Sequence, residues 1–356
     1  MAKKILIVDD SALIRSVLSG IINADARFHV EDRAIDGLEA LELLKKKTYD
    51  AVVLDINMPR MNGLELLRAL QKERIHAKIM IASTDTKEGA QITMDCLELG
   101  AMDFVHKPDN TMDCRSEAFA RAFLATLTAV AESKAPDNKV FTVESIKTSG
   151  ALSRLAEKHS AKISGRRIVA IASSTGGPRA LQSVIPLLPG KLRAPVVMVQ
   201  HMPVGFTQSL ADRIDKTSEL EVKEAAEGDF LKDGCVYLSK GGAHMNIISR
   251  GGKCMIHYTD EPNREGVKPC ANYMFESLAD SPFDEVVCVV MTGMGADGTE
   301  GIKNLKEKKK VHVIAQDADT CTVYGMPKSI ANAGLTDVVV PLGEIAQEII
   351  LRVGVR

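Results

Sequence analysis

Tryptophan is absent from the sequence, and aromatic residues make up only 4% of its 356 residues. An excess of one charge is also missing, because 45 basic and 47 acidic residues give a formal net charge of −2. Nucleic-acid binding needs a concentrated basic face, often with aromatic side chains that stack on bases. The composition therefore argues against nucleic acid as a partner, and the short lysine runs at 45–47 and 308–310 are interpreted as solvated helix ends.

Disulfide patterns and long hydrophobic runs are missing as well. The seven cysteines are odd in number, widely scattered and never spaced as Cys-x-x-Cys, which is typical of reduced thiols in an intracellular protein. The apolar run near the N-terminus, Ile5–Val8, is too short for a signal peptide or a membrane span. We therefore expect a cytoplasmic protein without membrane insertion.

The chain is long enough, and apolar enough, for two domains. Its 356 residues exceed what one small core organises. A hydrophobic content of 45% and a charged content of 26% are ordinary for globular proteins. Each predicted domain has enough residues to bury a core of its own.

In the N-terminal third, four predicted buried strands each end in polar residues. The runs Ile5–Val8 and Ala51–Leu54 are continuously apolar, as strands inside a parallel sheet are. Because the carboxyl ends of parallel strands meet at one edge of a sheet, the polar residues after them are expected to line one cleft. These residues are Asp9, Asp10, Asp55, Ser83 or Thr84, and Lys107.

Three carboxylates in one cleft repel one another unless a cation lies among them. Clustered carboxylate oxygens of this kind suit Mg²⁺. Once the metal and Lys107 neutralise charge, Asp55 is able to accept a phosphoryl group whose oxygens bond the hydroxyl of Ser83 or Thr84. The pattern therefore predicts phosphoryl transfer to Asp55.

Several segments here resemble the response-regulator receiver domain, over about residues 1–110. They are Ile7–Ser11, Asp55–Pro59 with Asn62-Gly63, and Phe104–Pro108. The resemblance implies a doubly wound, flavodoxin-like fold, with Asp55 as the phosphoacceptor and Lys107 as the phosphate contact. The spacing to Lys107 favours Ser83 over Thr84 as the switch hydroxyl. The implied Mg²⁺ ligands are Asp10, Asp55 and the Asn57 carbonyl, with Asp9 grouped beside them.

A change of composition separates the two predicted domains. The Ala- and Leu-rich pattern of Ser116–Ser133 predicts an amphipathic helix. The next residues, 134–139, are rich in turn formers, and the sequence from there to 165 has no strong period. We expect a receiver domain over 1–124, a linker over 125–165 and a catalytic domain over 166–356.

The second domain begins with an apolar run that changes abruptly into small hydroxyl residues and glycines. Ile168–Ala172 predicts a buried strand, and Gly176–Pro178 permits a tight turn into a helix. A hydroxyl at such a turn points from the carboxyl edge of a sheet, beside backbone N–H groups able to hold an oxyanion. Ser173 or Ser174 is therefore a candidate nucleophile. A plain connector is the alternative, and a phosphate loop is disfavoured because its lysine is missing.

Two more predicted strands supply the partners that a serine nucleophile needs. The first ends just before His201, and the second runs into a glycine-rich turn that carries Asp297. Serine, histidine and aspartate at one sheet edge act as nucleophile, base and orienting carboxylate in acyl transfer. Their order along the chain disfavours the α/β-hydrolase family. His244 and Asp317 are alternatives for base and acid, ranked lower because their positions favour turn and supporting roles.

Four segments from about residue 166 to the end resemble the catalytic domain of the CheB family of chemotaxis protein-glutamate methylesterases. They are Ser174–Pro178, Gln200–Pro203 with Gly205–Thr207, Thr292–Gly298, and Tyr324–Pro327. The resemblance implies a doubly wound, mainly parallel α/β esterase domain with Ser174 rather than Ser173 as the nucleophile. The other residues it implies are His201 and Asp297 as base and orienting acid, and the backbone N–H groups of Thr175 and Met294 as oxyanion donors.

The same resemblance implies a reaction and its partners. The reaction is hydrolysis of glutamate γ-methyl esters on the cytoplasmic helices of chemoreceptors, with release of methanol and often with deamidation of glutamine. A chemotaxis histidine kinase is the implied phosphodonor, and the esterase itself needs no cofactor. A phosphorylation-switched adaptor that binds receptors without catalysis is the alternative.

Two segments depart from the family pattern. Ala172-Ser173 stands where the family usually has Gly-Ala, which adds a hydroxyl beside the predicted nucleophile. Pro269–Asn272 reads Pro-Cys-Ala-Asn where many members have Pro-Ser-Val-Asp, so substrate contacts at this segment are not carried over from the family.

Overall fold

The computed structural model describes residues 2–83, 87–108, 113–133 and 165–356. The chain divides into two compact units, residues 1–139 and 140–356. The predicted linker falls for the most part on residues 134–164, which lie outside the described residues. The predicted domain boundaries therefore stay a prediction.

The first unit is a five-stranded parallel sheet in the order β2-β1-β3-β4-β5. Its strands are β1 (Lys3–Val8), β2 (Phe28–Ala34), β3 (Ala51–Asp55), β4 (Ile79–Ser83) and β5 (Asp103–His106). Its helices are α1 (Ala12–Ala24), α2 (Gly37–Lys46), α3 (Gly63–Glu73), α4 (Lys87–Glu98) and α5 (Glu117–Glu132). The inner strands are buried along almost their whole length, which explains why they are apolar without alternation. This confirms the doubly wound fold.

The first turns of α1 and α3 fix the loops that contain the acidic residues of this unit. Ser11 caps α1 directly after Asp9-Asp10, and its side chain accepts a hydrogen bond from Ile14 N. Gly63 begins α3 so close to β3 that a Cβ there would lie 2.5 Å from the Asp55 carbonyl oxygen. Glycine is therefore required for the loop after β3 to close against the strand.

Helix α5 continues the core of the first unit beyond the predicted domain end at residue 124. Ser116 caps its start and Ser133 ends it, as the amphipathic pattern predicts. Leu127 and Val130 are fully buried in the same hydrophobic cluster as the strand residues of the sheet. The predicted boundary thus falls inside a helix whose second half packs on the first unit.

We expect Leu127→Ala to lower the free energy of unfolding of the first unit by about 2–5 kcal/mol, because it removes a fully buried side chain and leaves a cavity. Hydrogen exchange of the β1 and β3 amides measures this locally. Arg121→Ala, at an exposed position of the same helix, is the matched control and should change the value by less than about 0.5 kcal/mol. Equal protection in the two variants would contradict the assignment of residues beyond 124 to this core.

The second unit is a seven-stranded sheet in the order β14-β13-β12-β6-β7-β9-β8, and every pairing in it is parallel. Its strands are β6 (Arg167–Ser173), β7 (Val196–Gln200), β8 (Glu221–Glu224), β9 (Cys235–Leu238), β12 (Glu285–Val290), β13 (Lys310–Gln316) and β14 (Val338–Val340). A separate antiparallel hairpin consists of β10 (His244–Arg250) and β11 (Lys253–Thr259). The helices are α6 (Gly177–Val184), α7 (Phe206–Asp215), α8 (Ala271–Ser277), α9 (Thr299–Lys306), α10 (Met326–Asn332) and α11 (Leu342–Val353).

The strand order places a topological switch point in each sheet. In the second unit the chain starts at β6, builds outward through β7 to one side, and later returns to add β12 on the other side. In the first unit, β1 lies between β2 and β3 in the same way. Open parallel sheets bind ligands at the carboxyl ends of such strands, because the loops there diverge and leave a crevice.

Two further features concern the cysteines and the lengths of the helices. All seven cysteines lie in the described part of the chain, where each is buried and none forms a disulfide bond. Across the described ranges, no helix is both long enough and apolar enough to cross a lipid bilayer.

Candidate functional site

The two serines at the end of β6 differ in their surroundings. Ser173 is fully buried, and its hydroxyl donates a hydrogen bond of 2.7 Å to the side-chain carbonyl of Gln200. Ser174 is one residue further along and half-buried. Of the two candidate nucleophiles, Ser174 is thus the one that reaches solvent.

Gln200, at the end of β7, ties the serine turn to the histidine loop. Its amide nitrogen donates to the carbonyl oxygens of Ser174 at 2.9 Å and His201 at 3.1 Å. The backbone N–H of His201 in turn donates to the Ser173 carbonyl at 3.1 Å. One buried side chain therefore positions both loops, and the Ser173 hydroxyl, which the family pattern lacks, adds a bond to it.

Glycines allow the loop after β12 to close on the serine turn. Ser174 N donates to the Thr292 carbonyl at 3.0 Å, which joins the two loops. A Cβ at Gly293 would lie 2.8 Å from the Ser174 Cβ. Gly176 begins α6 at a φ of 76°, a left-handed conformation that favours glycine.

The His201 ring and the Asp297 carboxylate are paired. Nε2 of His201 lies 2.7 Å from Oδ2 of Asp297. The imidazole is 11% exposed and the carboxylate 2%, so the ring stands between the buried acid and solvent. The Ser174 hydroxyl makes no hydrogen bond to this ring within the described part of the chain, but hydrogen bonds between catalytic groups are often longer before substrate binds.

The Asp297 carboxylate also accepts hydrogen bonds from the start of α8. Ala271 N donates to Oδ2 at 2.6 Å, and Asn272 N donates to Oδ1 at 2.9 Å. Burial alone would raise the pKa of Asp297, but the bonds from His201, Ala271 and Cys270 together lower it below its ordinary value. The carboxylate is thereby kept ionised next to the imidazole.

Two backbone N–H groups near Ser174 are available to a ligand. Among residues that the structure describes, no acceptor pairs with the amide of Thr175 or with that of Met294. The Thr175 residue is buried, whereas Met294 is 44% exposed. Unpaired donors at a sheet edge are what an oxyanion hole requires.

The alternative base and acid have other partners. His244 is fully buried, its Nδ1 accepts a hydrogen bond from Cys270 N at 3.2 Å, and burial followed by the charge of Lys268 lowers its pKa. Asp317 accepts hydrogen bonds from the backbone and hydroxyl of Thr320 and so closes a turn. His244 thus bonds the residue before α8, and Asp317 closes a turn.

In the first unit, the expected acidic cluster forms at the edge of β1 and β3. Asp9, Asp10 and Asp55 each offer a carboxylate oxygen within 4.8 Å of the others. Lys107 Nζ lies 2.7 Å from Asp55 Oδ1 and 3.1 Å from Asp9 Oδ2. Asn57 is exposed in the loop two residues after Asp55.

Charge is only partly balanced in this cluster. Burial raises the pKa of Asp55 despite the attraction of Lys107, and repulsion from Asp9 adds to the increase. Burial lowers the pKa of Lys107, but the charges of Asp55 and Asp9 raise it by more than burial lowers it. The net effect is a raised pKa, which favours the ammonium form. Among the described residues, the Lys107 ammonium is the one side-chain cation paired with Asp9 and Asp55, so the cluster of three carboxylates keeps excess negative charge. Hard oxygen donors at this spacing fit a divalent cation such as Mg²⁺.

Of the two candidates for the switch hydroxyl, one belongs to the described residues. Ser83 is buried at the end of β4 and accepts a hydrogen bond of 2.9 Å from the Thr93 hydroxyl. Thr84 lies outside the described residues. The choice between them remains the prediction made from the spacing to Lys107.

Comparison with known proteins agrees with both halves of this arrangement. Residues 169–349 match the CheB methylesterase family, and residues 5–117 match the response regulator receiver domain. The chain is similar to the protein-glutamate methylesterase/protein-glutamine glutaminase of Pyrococcus abyssi, with 39% identity over 347 residues, which cover 98% of this chain and 92% of the relative. The chain belongs to the CheB methylesterase family.

Further relatives of this family support the same assignment. A Bacillus subtilis protein, also named protein-glutamate methylesterase/protein-glutamine glutaminase, is 38% identical over 353 residues, 97% of each chain. The crystal structure of the Thermotoga maritima CheB methylesterase catalytic domain has 43% identity and a TM-score of 0.51 and covers 53% of this chain and 98% of its own. The mainly parallel esterase fold predicted from the sequence is confirmed.

Sequence reasoning missed the residues that hold the others in place. The sequence marks Gln200 only as part of a motif, although its side chain bonds to both candidate loops. The family resemblance carries no contacts over to residues Cys270–Asn272, and the structure shows that they donate hydrogen bonds to Asp297. Their departure from the family pattern was the available signal, and it did not identify which partner they contact.

We expect Asp297→Asn to lower the free energy of unfolding of the second unit by about 2–4 kcal/mol at pH 7, because an amide group then faces donors that need an acceptor. The lowered pKa of Asp297 means that its stabilisation is present above the ordinary Asp range and is lost as pH falls through the lowered value. The difference between wild type and variant should therefore shrink below about pH 4. Urea unfolding at a series of pH values measures it.

The exposed Asp280→Asn is the control and should give the same unfolding curve as wild type throughout this pH range. A loss in Asp297→Asn that does not vary with pH would show that ionisation of the carboxylate is not what stabilises this loop.

Proposed function

We propose that this chain is a protein-glutamate methylesterase that hydrolyses glutamate γ-methyl esters on chemoreceptors by a serine-hydrolase mechanism. The observation that carries the proposal is the half-buried Ser174 at the same sheet edge as the paired His201 and Asp297, in a chain of the CheB family. The place of action is the cytoplasm, on the cytoplasmic helices of the receptors.

The pairing of His201 with Asp297 supports one direction of proton transfer. Because Nε2 of His201 bonds to Asp297, Nδ1 is the ring nitrogen left to accept the proton of the Ser174 hydroxyl. The Ser174 oxygen attacks the ester carbon, and the Thr175 and Met294 amides stabilise the resulting oxyanion. His201 returns the proton to the departing methoxide, so methanol leaves and an acyl-enzyme remains.

Water completes the reaction by the reverse sequence. His201 takes a proton from water, the hydroxide attacks the acyl carbon, and the C–O bond to Ser174 breaks as His201 returns the proton to the serine. The product is a free glutamate side chain. A glutamine substrate follows the same path with ammonia as the leaving group, which matches the glutaminase activity named for the Pyrococcus abyssi and Bacillus subtilis relatives.

We expect Ser174→Ala to abolish methanol release from a methylated receptor fragment, because no other hydroxyl at this turn reaches solvent. Ser173→Ala is the matched control. It loses only the bond to Gln200, so it should cost about 1 kcal/mol of stability and keep at least about a third of wild-type activity.

Mass spectrometry of the receptor fragment gives the readout directly. Activity retained in Ser174→Ala but lost in Ser173→Ala would reverse the assignment of the nucleophile. Equal, negligible release by wild type and Ser174→Ala, with the fragment still bound, would favour the phosphorylation-switched adaptor.

The receiver unit supports a role for phosphorylation in switching this activity on. We assign Asp55 as the phosphoacceptor, with a chemotaxis histidine kinase as the donor. Asp9, Asp10, Asp55 and the Asn57 carbonyl would hold Mg²⁺, which when bound neutralises charge on the transferring phosphoryl group. Lys107 contributes the second positive charge, and we assign the Ser83 hydroxyl as the group that bonds a phosphate oxygen.

We expect a small phosphodonor such as acetyl phosphate, with Mg²⁺, to raise methanol release by the full-length wild type. Asp55→Asn should show no stimulation, because a neutral amide replaces the carboxylate that accepts the phosphoryl group, while its basal rate stays within about twofold of wild type. Asp113→Asn, an exposed carboxylate in the same unit, is the control and should respond as wild type does. Stimulation of Asp55→Asn to the wild-type extent would rule out Asp55 as the acceptor.

A further inference from the structure

The Asp297 carboxylate has a donor for each of its lone-pair positions. Oδ2 accepts from His201 Nε2 at 2.7 Å and from Ala271 N at 2.6 Å. Oδ1 accepts from Asn272 N at 2.9 Å and from the Cys270 thiol at 3.1 Å. A carboxylate offers about four such positions, so the set is complete. The Cys270 thiol is the one donor that is neither main chain nor the histidine itself.

Cys270 is itself held in place. It is fully buried at the N-cap position of α8, and its backbone N–H donates to Nδ1 of the buried His244. Burial, followed by the charge of Asp297, raises the pKa of the thiol to about 12. The sulfur therefore keeps its proton and remains a donor across the pH range in which hydrolases work.

The same turn also fixes the backbone that follows Asp297. The Asn272 side-chain carbonyl accepts hydrogen bonds from Gly298 N at 3.0 Å and Gly301 N at 2.6 Å. The loop backbone is thus anchored independently of Cys270. The thiol adds a second donor to Oδ1, and the terminal torsion of a carboxylate, which this donor restrains, is intrinsically broad.

We propose that Cys270 is a positioning residue for ester hydrolysis, whose thiol fixes the rotation of the Asp297 carboxylate so that Oδ2 stays directed at His201. This inference rests on the proposed function, since it concerns the orienting acid of that reaction. Without the thiol, Oδ1 keeps one donor instead of two, so the carboxylate is held less firmly in the rotation that directs Oδ2 at the imidazole. We expect the loss in kcat rather than in KM, because Cys270 is fully buried.

The test compares full-length variants in the methanol-release assay with a methylated receptor fragment. Cys270→Ala removes the donor and should lower kcat about 5- to 20-fold with little change in KM. Cys270→Ser restores a donor of similar reach and should keep kcat within about threefold of wild type. Cys254→Ala removes another buried sulfur of the same unit and should leave kcat unchanged.

A second comparison separates positioning from packing. If Cys270 acts through Asp297, then adding Cys270→Ala to Asp297→Ala should change the residual rate by less than twofold. Should Cys270→Ala fail to fold, Cys270→Val fills the same space without a donor and takes its place. Equal rates for the donor-free and serine variants, or additive losses in the double variant, would overturn the inference. Failure of the proposed function itself would instead appear as wild-type activity that does not depend on Ser174.

Discussion

The parallel pairing of β6 with β7 on one side and β12 on the other is the constraint on which the esterase site depends. In this register Ser173 faces Gln200 and Ala172 faces both Val199 and Val290. Ser174 and His201, which follow these paired residues, therefore leave the sheet at the same level. A slip of one residue in either pairing would turn the hydroxyl or the imidazole into the core.

Buried carboxylates are stabilised differently in the two units. Asp297 is surrounded by neutral backbone and thiol donors plus one imidazole, so its charge is satisfied within the fold. Asp55 shares a single ammonium with Asp9 and lies close to Asp10. The first arrangement suits an acid that stays ionised and still, whereas the second leaves negative charge for a cation to balance.

Supporting hydrogen bonds in the esterase unit come from buried residues. Gln200 joins the serine turn to the histidine loop, and the start of α8 clamps the orienting carboxylate. Such bonds hold reacting groups within the small tolerances that acyl transfer requires. They also explain why the turn after β6 tolerates a second serine: the added hydroxyl bonds within the core instead of competing at the surface.

Local patterns in the sequence determined the elements and the chemistry. Continuous apolar runs predict buried parallel strands, and polar residues at their ends predict the two clefts, because both features depend only on neighbours along the chain. The motifs around Asp55 and Ser174 indicated the receiver domain and the methylesterase family. Only the tertiary structure distinguished Ser173 from Ser174 by burial, continued the first core beyond residue 124, and brought Cys270 to Asp297. These outcomes depend on strand register and on contacts between residues distant in sequence, which no local pattern encodes.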